Sequence, residues 1–571
     1  MNYKDEYKRW CESDFTDKIL KSQLCSLTDE KEIEDRFYKR LEFGTAGLRG
    51  ILGAGTNRMN VHTVRQATKA LADYIKTIEG ADRQGVAIAY DTRMKSSEFA
   101  KAAALVLCEN GIKTYLFKDE RPVPMLSFSV RYLKCIAGIV ITASHNPPEY
   151  NGYKVYWQDG GQITPDRCKI ISEYIDKTDV LSVAYMDEKK ADDTDYLEYL
   201  SDDIDNAYIS YCSKLSIHNE LTDEQKSAIK IVYSPLHGSG YVPVTKLLAH
   251  MGYKNVSVVE RQTIPDGHFP TVKVPNPETQ EAFTMALELA QQESADIALA
   301  TDPDSDRLGV CIKTDTGYEK LTGNRIGSLL VHYILSSLKE KGELKDNSYV
   351  AQSIVSTDCT QKICDKFGVE LKKLLTGFRY IAEQIENSDK NFIFGFEESY
   401  GFLMGTNVRD KDACLAAMLV SEACAYYKSQ GKTLSDVLNE MDCIYGAFVE
   451  KCESFTVSGK DGMAKISAYM NKLHNEPQKA IAGYDVTKIS DLDSEKVTDL
   501  RSGKTEKTDI PKANVVIFEL GDNIKVCVRP SGTEPKLKLY FSVNADTRIK
   551  AAEILEGIAK TVSDEVNKEL A

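Results

Sequence analysis

Apolar runs typical of β-strands alternate along the chain with amphipathic stretches that have helical spacing. Three times, a strand-like run, a polar loop, a helical stretch and a glycine precede a second strand-like run. These copies begin near Val86, Ile229 and Tyr349. Strands that alternate with helices are typical of βαβ units, in which helices cover the faces of a sheet. The pattern therefore predicts three similar α/β domains.

The two ends of the chain have different patterns. Residues 32–40 have helical spacing, so the first 40 or so residues are predicted to form an N-terminal helical extension. Beyond residue 440 the pattern changes to strand-like runs such as 455–457, which predict a C-terminal α+β unit. Within that unit, the polar segment 490–509 is predicted to be a loop, and the acidic segment 187–205 a solvated connector or surface helix.

We place the domain boundaries where the composition and periodicity change. The predicted domains are 1–205, comprising the extension and a first α/β domain, 206–320 and 321–444, two further α/β domains, and 445–571, the C-terminal domain. A length of 571 residues suits about four domains of roughly 150 residues each.

Composition excludes several classes of function. The formal charge is −14, which argues against a general nucleic-acid binder, although one local basic pocket for a small anion remains compatible with it. No apolar run approaches the roughly 18 residues of a membrane span, and residues 1–12 are too polar for a signal peptide. The 14 cysteines form no CxxC pair and are interpreted as small buried hydrophobes. We therefore expect a cytoplasmic protein.

A first candidate for chemistry is the segment Thr142-Ala-Ser-His-Asn-Pro-Pro148, which follows the apolar run 136–141. A strand that delivers serine, histidine and asparagine into a proline-stiffened loop is a good place for a nucleophile. On its own, such a segment is equally typical of a turn in which Ser144 caps backbone groups. The GxSxG pattern of serine hydrolases is absent.

A second candidate is the acidic loop Thr301-Asp-Pro-Asp-Ser-Asp-Arg307, which lies between two apolar runs. Asp302, Asp304 and Asp306 are two residues apart, so an extended loop can direct all three carboxylates the same way. Crowded carboxylates repel one another unless a hard cation neutralises them, and Mg²⁺ takes such oxygen ligands, usually together with a phosphate. The alternative is a solvated acidic turn, which the apolar flanks disfavour.

Three further loops carry polar groups that suit a sugar or an anion. Gly395-Phe-Glu-Glu-Ser-Tyr-Gly401 offers adjacent carboxylates, which accept hydrogen bonds from sugar hydroxyls, although a surface acidic pair is the commoner case. Arg529-Pro-Ser-Gly-Thr-Glu-Pro-Lys536 combines an arginine, two hydroxyls and a glycine, as in a phosphate cradle or a tight hairpin turn. In Gly44-Thr-Ala-Gly-Leu-Arg-Gly50, Arg49 is interpreted as an anion contact on a flexible backbone.

Together these motifs resemble the α-D-phosphohexomutases, a family that includes phosphoglucomutases and phosphomannomutases. Five motifs occur in the order of that family over residues 44–536: GTAGLRG, TASHNPPEYNGYK, DPDSDR, GFEESYG and RPSGTEPK. Their residues are most similar to those of the phosphoglucomutase/phosphopentomutase branch. The resemblance implies three similar α/β domains with mixed sheets flanked by helices, plus a smaller C-terminal α+β domain, around a central cleft.

The resemblance also implies roles for individual residues. Ser144 would carry a phosphate, and Asp302, Asp304 and Asp306 would bind Mg²⁺ together with that phosphate. Proton transfer and charge stabilisation would fall to Arg49, His145, Lys154 and Lys411. The residues implied to contact substrate are Arg307, Thr376, Gly377, Arg379, Glu397, Glu398, Ser399, Arg529, Ser531, Gly532 and Thr533. Phe396 stands where many relatives have glycine, which weakens any transfer of exact sugar preference.

The implied activity is the interconversion of glucose 1-phosphate and glucose 6-phosphate through a phosphoserine and glucose 1,6-bisphosphate, the latter also an activator. Phosphopentomutase, phosphomannomutase and glucose 1,6-bisphosphate synthase activities remain alternatives, since they use nearly the same parts. Outside this class, a non-catalytic sugar-phosphate-binding protein would keep the motifs without turnover. An aspartyl phosphatase would use Asp302, not Ser144, as the phosphate carrier. The implied partners are small sugar phosphates, for a monomer or homodimer that binds neither nucleic acid nor membrane.

Overall fold

A computed structural model describes residues 2–44, 47–457, 461–531 and 535–570. The chain divides into two compact units, each built from two stretches of sequence. Unit 1 comprises Met1–Gly323 and Ile381–Gly431, and unit 2 comprises Asn324–Tyr380 and Lys432–Ala571. Among the described residues, we find no helix with the length and apolar character that crossing a membrane requires.

The N-terminal extension is helical, as predicted. Its helices are α1 (Tyr3–Glu12), α2 (Lys18–Cys25) and α3 (Glu30–Phe37). Each begins after a residue whose side chain accepts a hydrogen bond from the first turn, namely Asn2, Asp17 and Asp29. Trp10 and Phe37 are buried between these helices with their rings in edge-to-face contact.

The first α/β region of unit 1 contains a mixed sheet. Its strands are β1 (Gly47–Ile51), β2 (Val86–Tyr90), β3 (Thr114–Phe117), β4 (Ala137–Ile141), β5 (Tyr150–Trp157) and β6 (Leu197–Leu200), in the order β1-β5-β4-β2-β3-β6. Its helices are α4 (Val61–Lys76), α5 (Ala81–Gln84), α6 (Ser96–Glu109), α7 (Val123–Tyr132), α8 (Pro165–Lys177) and α9 (Glu188–Asp192). Because β2 and β4 are parallel neighbours, the loops that follow them meet at one edge of the sheet.

Two expectations for this region were wrong, one of them in part. The acidic segment 187–205, expected to be a solvated connector or surface helix, does contain the short exposed helix α9, but it also contains β6, which pairs in parallel with β3 as the edge strand of the sheet. Arg49 does not lie on a flexible loop: it belongs to β1, where it is opposite Gly152 of β5. In both cases the partner strand is distant in sequence, so local composition did not reveal the pairing.

The second α/β region of unit 1 has the same kind of sheet. Its strands are β7 (Ile231–Ser234), β8 (Val256–Val258), β9 (Ile297–Thr301), β10 (Leu308–Thr314) and β11 (Gly317–Lys320), in the order β11-β10-β9-β7-β8. Its helices are α10 (Asp202–Ser213), α11 (Asp223–Ser227), α12 (Tyr241–His250), α13 (Glu260–Thr263) and α14 (Thr284–Glu293), with a short 3₁₀ turn at Glu281–Phe283. The strand β9 is parallel to β7 and antiparallel to β10, so the loop 302–307 forms the turn between β9 and β10.

The third region contributes to both units. Its elements are α15 (Gly323–Glu340), β12 (Ser348–Ser353), α16 (Cys359–Phe367), β13 (Glu370–Leu374), α17 (Phe378–Asn387), β14 (Asn391–Glu397), β15 (Gly401–Met404), α18 (Ala413–Ser429) and α19 (Leu434–Tyr445). Within unit 2, β12 and β13 are parallel. Within unit 1, β14 and β15 form an antiparallel hairpin that carries Glu397 at its turn.

The C-terminal region of unit 2 is an antiparallel sheet with helices. Its strands are β16 (Ala447–Thr456), β17 (Ala480–Ile481), β18 (Tyr484–Asp491), β19 (Lys496–Asp499), β20 (Thr505–Lys507), β21 (Val516–Leu520), β22 (Ile524–Pro530) and β23 (Lys536–Ala545), and its helices are α20 (Gly462–Asn475) and α21 (Arg548–Leu570). The prediction of a loop over 490–509 was wrong, because β19 and β20 form a polar hairpin there. This hairpin extends the sheet from β18 and is largely solvent-exposed, so it lacks the apolar alternation that reveals a strand.

Candidate active site

The loop 142–150 between β4 and β5, here named the serine loop, presents Ser144 in a constrained conformation. Ser144 has φ 52°, in the left-handed region that non-glycine residues rarely adopt, and it is only 4% exposed. Its N–H donates to Thr142 Oγ1 at 2.7 Å, and its hydroxyl donates to Asp302 Oδ2 at 2.7 Å. The hydroxyl therefore faces the acidic loop instead of capping a turn.

The loop 302–307 between β9 and β10, here named the aspartate loop, collects three buried carboxylates. Oxygen atoms of Asp302, Asp304 and Asp306 all lie within 4.8 Å of one another. Asp302 Oδ1 accepts the backbone N–H groups of Asp306 at 3.2 Å and Arg307 at 3.1 Å, which curls the loop around this carboxylate. The spacing of two residues thus brings the three acids to one place.

The electrostatics of these carboxylates suit a cation. Burial and the two neighbouring carboxylates raise the pKa of Asp302 well above its usual value, and burial with Asp304 raises the pKa of Asp306. Among the described residues, Asp304 Oδ1 and Asp306 Oδ1 are buried without a hydrogen-bond partner. A hard divalent cation would satisfy these oxygens and offset the crowded charge, so the donor set fits Mg²⁺.

Two lysines lie against the same acids. Lys154 Nζ on β5 lies 3.0 Å from Asp304 Oδ2, and Lys411 Nζ lies 3.1 Å from Asp306 Oδ2. Burial opposes ionisation of Asp304, but the charge of Lys154 outweighs it and holds the pKa of that carboxyl below its usual value. Burial likewise opposes charge on Lys411, yet Asp306 and Asp410 raise the pKa of its ammonium, so it remains a cation.

His145 and Arg49 also contact the serine loop near Ser144. His145 Nδ1 is 3.2 Å from Ser144 Oγ, and Arg49 Nη1 donates to Asn146 Oδ1 at 3.0 Å. Burial, followed by the charges of Arg307 and Arg49, lowers the pKa of His145 well below 6.5. The imidazole is therefore neutral at pH 7, and it can exchange a hydrogen bond with the Ser144 hydroxyl.

The loop after β14 approaches the aspartate loop within unit 1. Arg307 forms an isolated β-bridge with Gly401, and Leu308 N donates to Tyr400 O at 3.0 Å. A Cβ at Gly401 would lie 2.1 Å from Lys411 Cδ, so the glycine leaves room for the Lys411 side chain. Glu397 is buried at the end of β14, while Glu398 and Ser399 are half-buried beside it. The structure therefore brings the acidic pair, Arg307 and Lys411 into one neighbourhood.

The remaining predicted residues belong to unit 2 or lie outside the described part. Thr376, Gly377 and Arg379 are located between β13 and the first turn of α17, with Gly377 at φ 119°. Arg529 is the last residue but one of β22. Beyond this strand, Ser531 N donates to Lys536 O at 2.7 Å. Gly532 and Thr533 lie outside the described residues.

Comparison with known proteins identifies the family. Four consecutive domain families of phosphoglucomutase/phosphomannomutase match the chain: α/β/α domain I at residues 40–181, domain II at 206–317, domain III at 322–443 and the C-terminal domain at 485–560. The chain belongs to the phosphoglucomutase/phosphomannomutase family. The predicted membership of the α-D-phosphohexomutases, phosphoglucomutase branch, is thereby confirmed.

Curated relatives of this family are similar over nearly their full length. The phosphoglucomutase of Staphylococcus haemolyticus is 38% identical over 518 residues, which cover 90% of this chain and 92% of the relative. The phosphoglucomutase of Staphylococcus epidermidis is 35% identical over 536 residues, with coverage of 93% and 96%.

Solved structures share the fold. A phosphoglucomutase/phosphomannomutase family protein from Burkholderia thailandensis matches with a TM-score of 0.65 at 19% identity, covering 93% of this chain and 98% of that one. The open form of pp63/parafusin from Paramecium matches with a TM-score of 0.66 at 16% identity, covering 92% and 94%. The predicted class of three α/β domains with mixed sheets plus a C-terminal domain is confirmed. The predicted domain boundaries and residue roles stay predictions.

Sequence reasoning missed several residues that contact the site. Asp410 accepts from Tyr156 Oη at 2.6 Å and from Lys411 Nζ at 2.8 Å, and Glu278 forms an ion pair with Arg307. Arg93 donates to backbone carbonyls of the serine loop. The sequence places Arg93 directly after the strand-like run of β2, but that β2 is the parallel neighbour of β4 is seen only in the structure.

Proposed function

We propose that the chain is a phosphoglucomutase, which interconverts glucose 1-phosphate and glucose 6-phosphate. The observation that carries the proposal is the 2.7 Å hydrogen bond from Ser144 Oγ to Asp302 Oδ2, beside carboxylates that are buried and incompletely satisfied. This arrangement suits a serine that holds a phosphate next to a divalent cation. The similarity to curated phosphoglucomutases over 90% of the chain supports the same activity.

A stored phosphate removes the need to activate Ser144 as a nucleophile in each turnover. A serine hydroxyl is a weak nucleophile at pH 7 and needs an oriented base. Neutral His145 lies near Ser144 Oγ, but the hydroxyl donates to Asp302. In the proposed cycle, phospho-Ser144 gives its phosphoryl group to the C6 hydroxyl of glucose 1-phosphate: the O6–P bond forms, the Oγ–P bond breaks, and the hydroxyl proton passes to a basic group of the site.

The cycle is completed by transfer in the opposite sense. Glucose 1,6-bisphosphate turns within the site, Ser144 Oγ forms a new bond to the C1 phosphorus and the O1–P bond breaks. The basic group returns its proton to O1, and glucose 6-phosphate leaves. Added bisphosphate would restore the phosphate on any Ser144 that has lost it, which explains its role as an activator.

The aspartate loop would hold the metal. Asp302, Asp304 and Asp306, with a phosphate oxygen on Ser144, offer the oxygen ligands that Mg²⁺ prefers. When bound, Mg²⁺ neutralises charge on the phosphoryl group during transfer. Lys411 and Lys154 already pair with these acids, so they would share in stabilising the phosphoryl oxygens.

Substrate contacts are proposed for the other loops. The carboxylate of Glu397, with that of Glu398 beside it, would accept hydrogen bonds from sugar hydroxyls. The hydroxyl of Ser399 would donate to or accept from them. Arg307, Thr376, Gly377 and Arg379 would contact the sugar phosphate. Arg529 and Ser531, with the undescribed Gly532 and Thr533, would bind the phosphate that is not being transferred, as a guanidinium and hydroxyl group commonly do.

The test measures glucose 6-phosphate formed from glucose 1-phosphate with Mg²⁺ and a trace of glucose 1,6-bisphosphate. Wild-type turnover should disappear with EDTA, and Ser144→Ala should lower kcat by at least about 10⁴-fold, as loss of a covalent carrier does. Ser172→Ala on α8, whose hydroxyl donates to Cys168 O, is the matched control and should keep wild-type turnover.

Other outcomes would correct or reject the proposal. Faster turnover of mannose or ribose 1-phosphate would retain the mechanism and change the preferred sugar. Bisphosphate formation from an acyl phosphate would identify a synthase. Full activity in Ser144→Ala would reject the phosphoserine mechanism.

A further inference from the structure

Arg93 lies against the serine loop and binds its backbone. It follows β2, whose parallel neighbour β4 leads into the serine loop. Its side chain is fully buried. A buried guanidinium is costly unless its donors are satisfied, so the partners of this side chain indicate its role.

Every N–H donor of the Arg93 guanidinium has a backbone carbonyl as its acceptor. Nε and Nη2 donate to Ser144 O at 3.1 and 2.5 Å, Nη1 donates to Pro147 O at 2.9 Å and Tyr150 O at 3.1 Å, and Nη2 also donates to Asn146 O. These bonds equal the five donors that a guanidinium possesses. All acceptors belong to the serine loop, so one side chain gathers four carbonyl groups of this loop.

Arg93 is itself held in place by its surroundings. Its backbone N–H donates to Asp91 Oδ1 at 2.9 Å, and its Nε lies 3.5 Å from Asp91 Oδ2. Its guanidinium lies 5.0 Å from the ring centre of Phe269, from the second α/β region. The segment containing Phe269 can approach because residue 267 is glycine: a Cβ there would lie 2.2 Å from Met94 N.

We propose that Arg93 is a positioning residue for the reacting group of Ser144. By drawing the loop carbonyls to one side, its guanidinium stabilises the left-handed backbone at Ser144 and directs Oγ toward Asp302. Arg93 does not touch the reacting atoms. The kinetic consequence rests on the proposed phosphoglucomutase activity, whereas the structural consequence for the loop does not.

Lysine in place of Arg93 would keep the charge but offer at most three donors on one atom, so it cannot span the four carbonyl groups. A displacement of about 1 Å in a reacting group can cost about 100-fold in rate. Arg93→Lys should therefore lower kcat by about 100-fold while KM for glucose 1-phosphate and the dissociation constant for Mn²⁺ change by less than about threefold. Arg83→Lys, at an exposed site on α5, is the matched control and should change none of these values.

Amide hydrogen exchange provides a readout that does not depend on activity. In wild type, the amides of Ser144, Asn146 and Tyr150 are hydrogen-bonded within the serine loop. In Arg93→Lys these amides should exchange at least about tenfold faster, while those of the aspartate loop keep their wild-type rates. If wild type shows no mutase turnover, the proposed function fails and the exchange rates still decide the role of Arg93.

Two results would overturn the proposal. The first is an unchanged kcat with unchanged amide exchange in the serine loop. The second is a raised KM with unchanged kcat, which would mean that Arg93 supports substrate binding instead. If the amides of Arg93→Lys exchange faster throughout the chain, Asp91→Asn replaces that variant as the test. Asp91→Asn keeps the Arg93 guanidinium but weakens the contacts by which Asp91 holds Arg93 in place. That variant should shift kcat and loop exchange in the same direction by a smaller factor; wild-type values for both would overturn the proposal.

Discussion

The serine loop and the aspartate loop face each other across two hydrogen bonds, from Ser144 Oγ to Asp302 Oδ2 and from Thr142 Oγ1 to Asp304 Oδ2, but they are anchored in different ways. Four carbonyl groups of the serine loop converge on a single side chain, that of Arg93. The carbonyl groups of the aspartate loop accept from several backbone N–H groups instead: Val123 N donates to Asp304 O at 3.0 Å, Ser239 N to Pro303 O at 2.9 Å and Ala413 N to Ser305 O at 3.2 Å.

This difference determines which substitutions each loop tolerates. Loss of the Arg93 guanidinium removes the shared partner of four serine-loop carbonyl groups at once. The aspartate loop depends on the backbone of three neighbouring segments, at the starts of α7 and α18 and before α12, so no single side chain releases it. Its weak point is steric, because those segments must approach its backbone closely. We therefore expect side-chain changes to displace the serine loop, and backbone or capping changes to displace the aspartate loop.

The largest effect on the aspartate side is expected from Asp304→Asn, which removes a charge but leaves the backbone anchors. Metal affinity should fall at least about tenfold, since even loss of an outer-shell partner typically costs roughly 10–100-fold. Turnover should fall by about 100-fold or more, as it does when one stabilising group is removed from a charged transition state. Mn²⁺ titration and the glucose 6-phosphate assay measure the two effects.

Asp315→Asn, at an exposed turn after β10, is the control for that substitution. Amide exchange in the aspartate loop should stay at wild-type rates in Asp304→Asn. Unchanged metal affinity would mean that the cation binds elsewhere, and faster loop exchange would mean that the carboxylate, as well as the backbone, anchors this loop.

The second-largest effect is expected from titration of Asp412, the residue that caps α18. The N–H of the next residue, Ala413, donates to Ser305 O of the aspartate loop. Asp412 Oδ1 accepts from Tyr208 Oη at 2.7 Å and Leu415 N at 2.9 Å, and burial raises the pKa of its carboxyl to about 6. Because the folded-state pKa is above the usual 3.8, protonation favours folding: this stability is complete below about pH 3.8 and is lost as the pH rises through about 6.

Wild type should therefore lose about 2–3 kcal/mol relative to Asp412→Asn between about pH 4 and 7, and almost nothing further above pH 7, since one pKa unit is worth about 1.4 kcal/mol. Denaturant unfolding of both proteins at several pH values measures the difference. A difference that is independent of pH would contradict a buried, titrating Asp412. Groups from other elements, such as Cys212 on α10, are present in both proteins and cancel.

The smallest effect is expected from Gly240→Ala, which tests the steric weak point. A Cβ at Gly240 would lie 2.1 Å from Ser305 Oγ and 2.7 Å from Thr301 Oγ1. Overpacking of this kind should cost about 1–3 kcal/mol and weaken metal binding, with serine-loop exchange unchanged. The midpoint of thermal unfolding measures the first effect and Mn²⁺ titration the second.

Gly557→Ala is the matched control, because a Cβ there meets no atom within 4 Å in the middle of α21. It should stabilise the chain by about 0.5–1 kcal/mol, since alanine is the better helix former. If Gly240→Ala behaves like this control, close packing of the segment before α12 against the Ser305 and Thr301 side chains is not what holds the aspartate loop.

Much of the framework could be predicted from local sequence. Apolar runs located strands such as β2, β7 and β12, and the spacing of Asp302, Asp304 and Asp306 predicted carboxylates that converge, as their oxygens do within 4.8 Å. The polar hairpin at 490–509 and the edge strand β6 were not predicted, because exposed or edge strands carry no regular apolar alternation.

Arg93 shows most clearly what the sequence could not reveal. By itself, the sequence determined the order of strands, loops and helices, the residue types of each candidate loop and the family, since all of these depend on neighbours along the chain. Only the tertiary structure decided that one guanidinium meets four carbonyl groups about 50 residues away, and that Lys154 and Lys411 flank the same acids. Backbone carbonyls are present at every residue, so no pattern of side chains marks the ones that a distant arginine will bind.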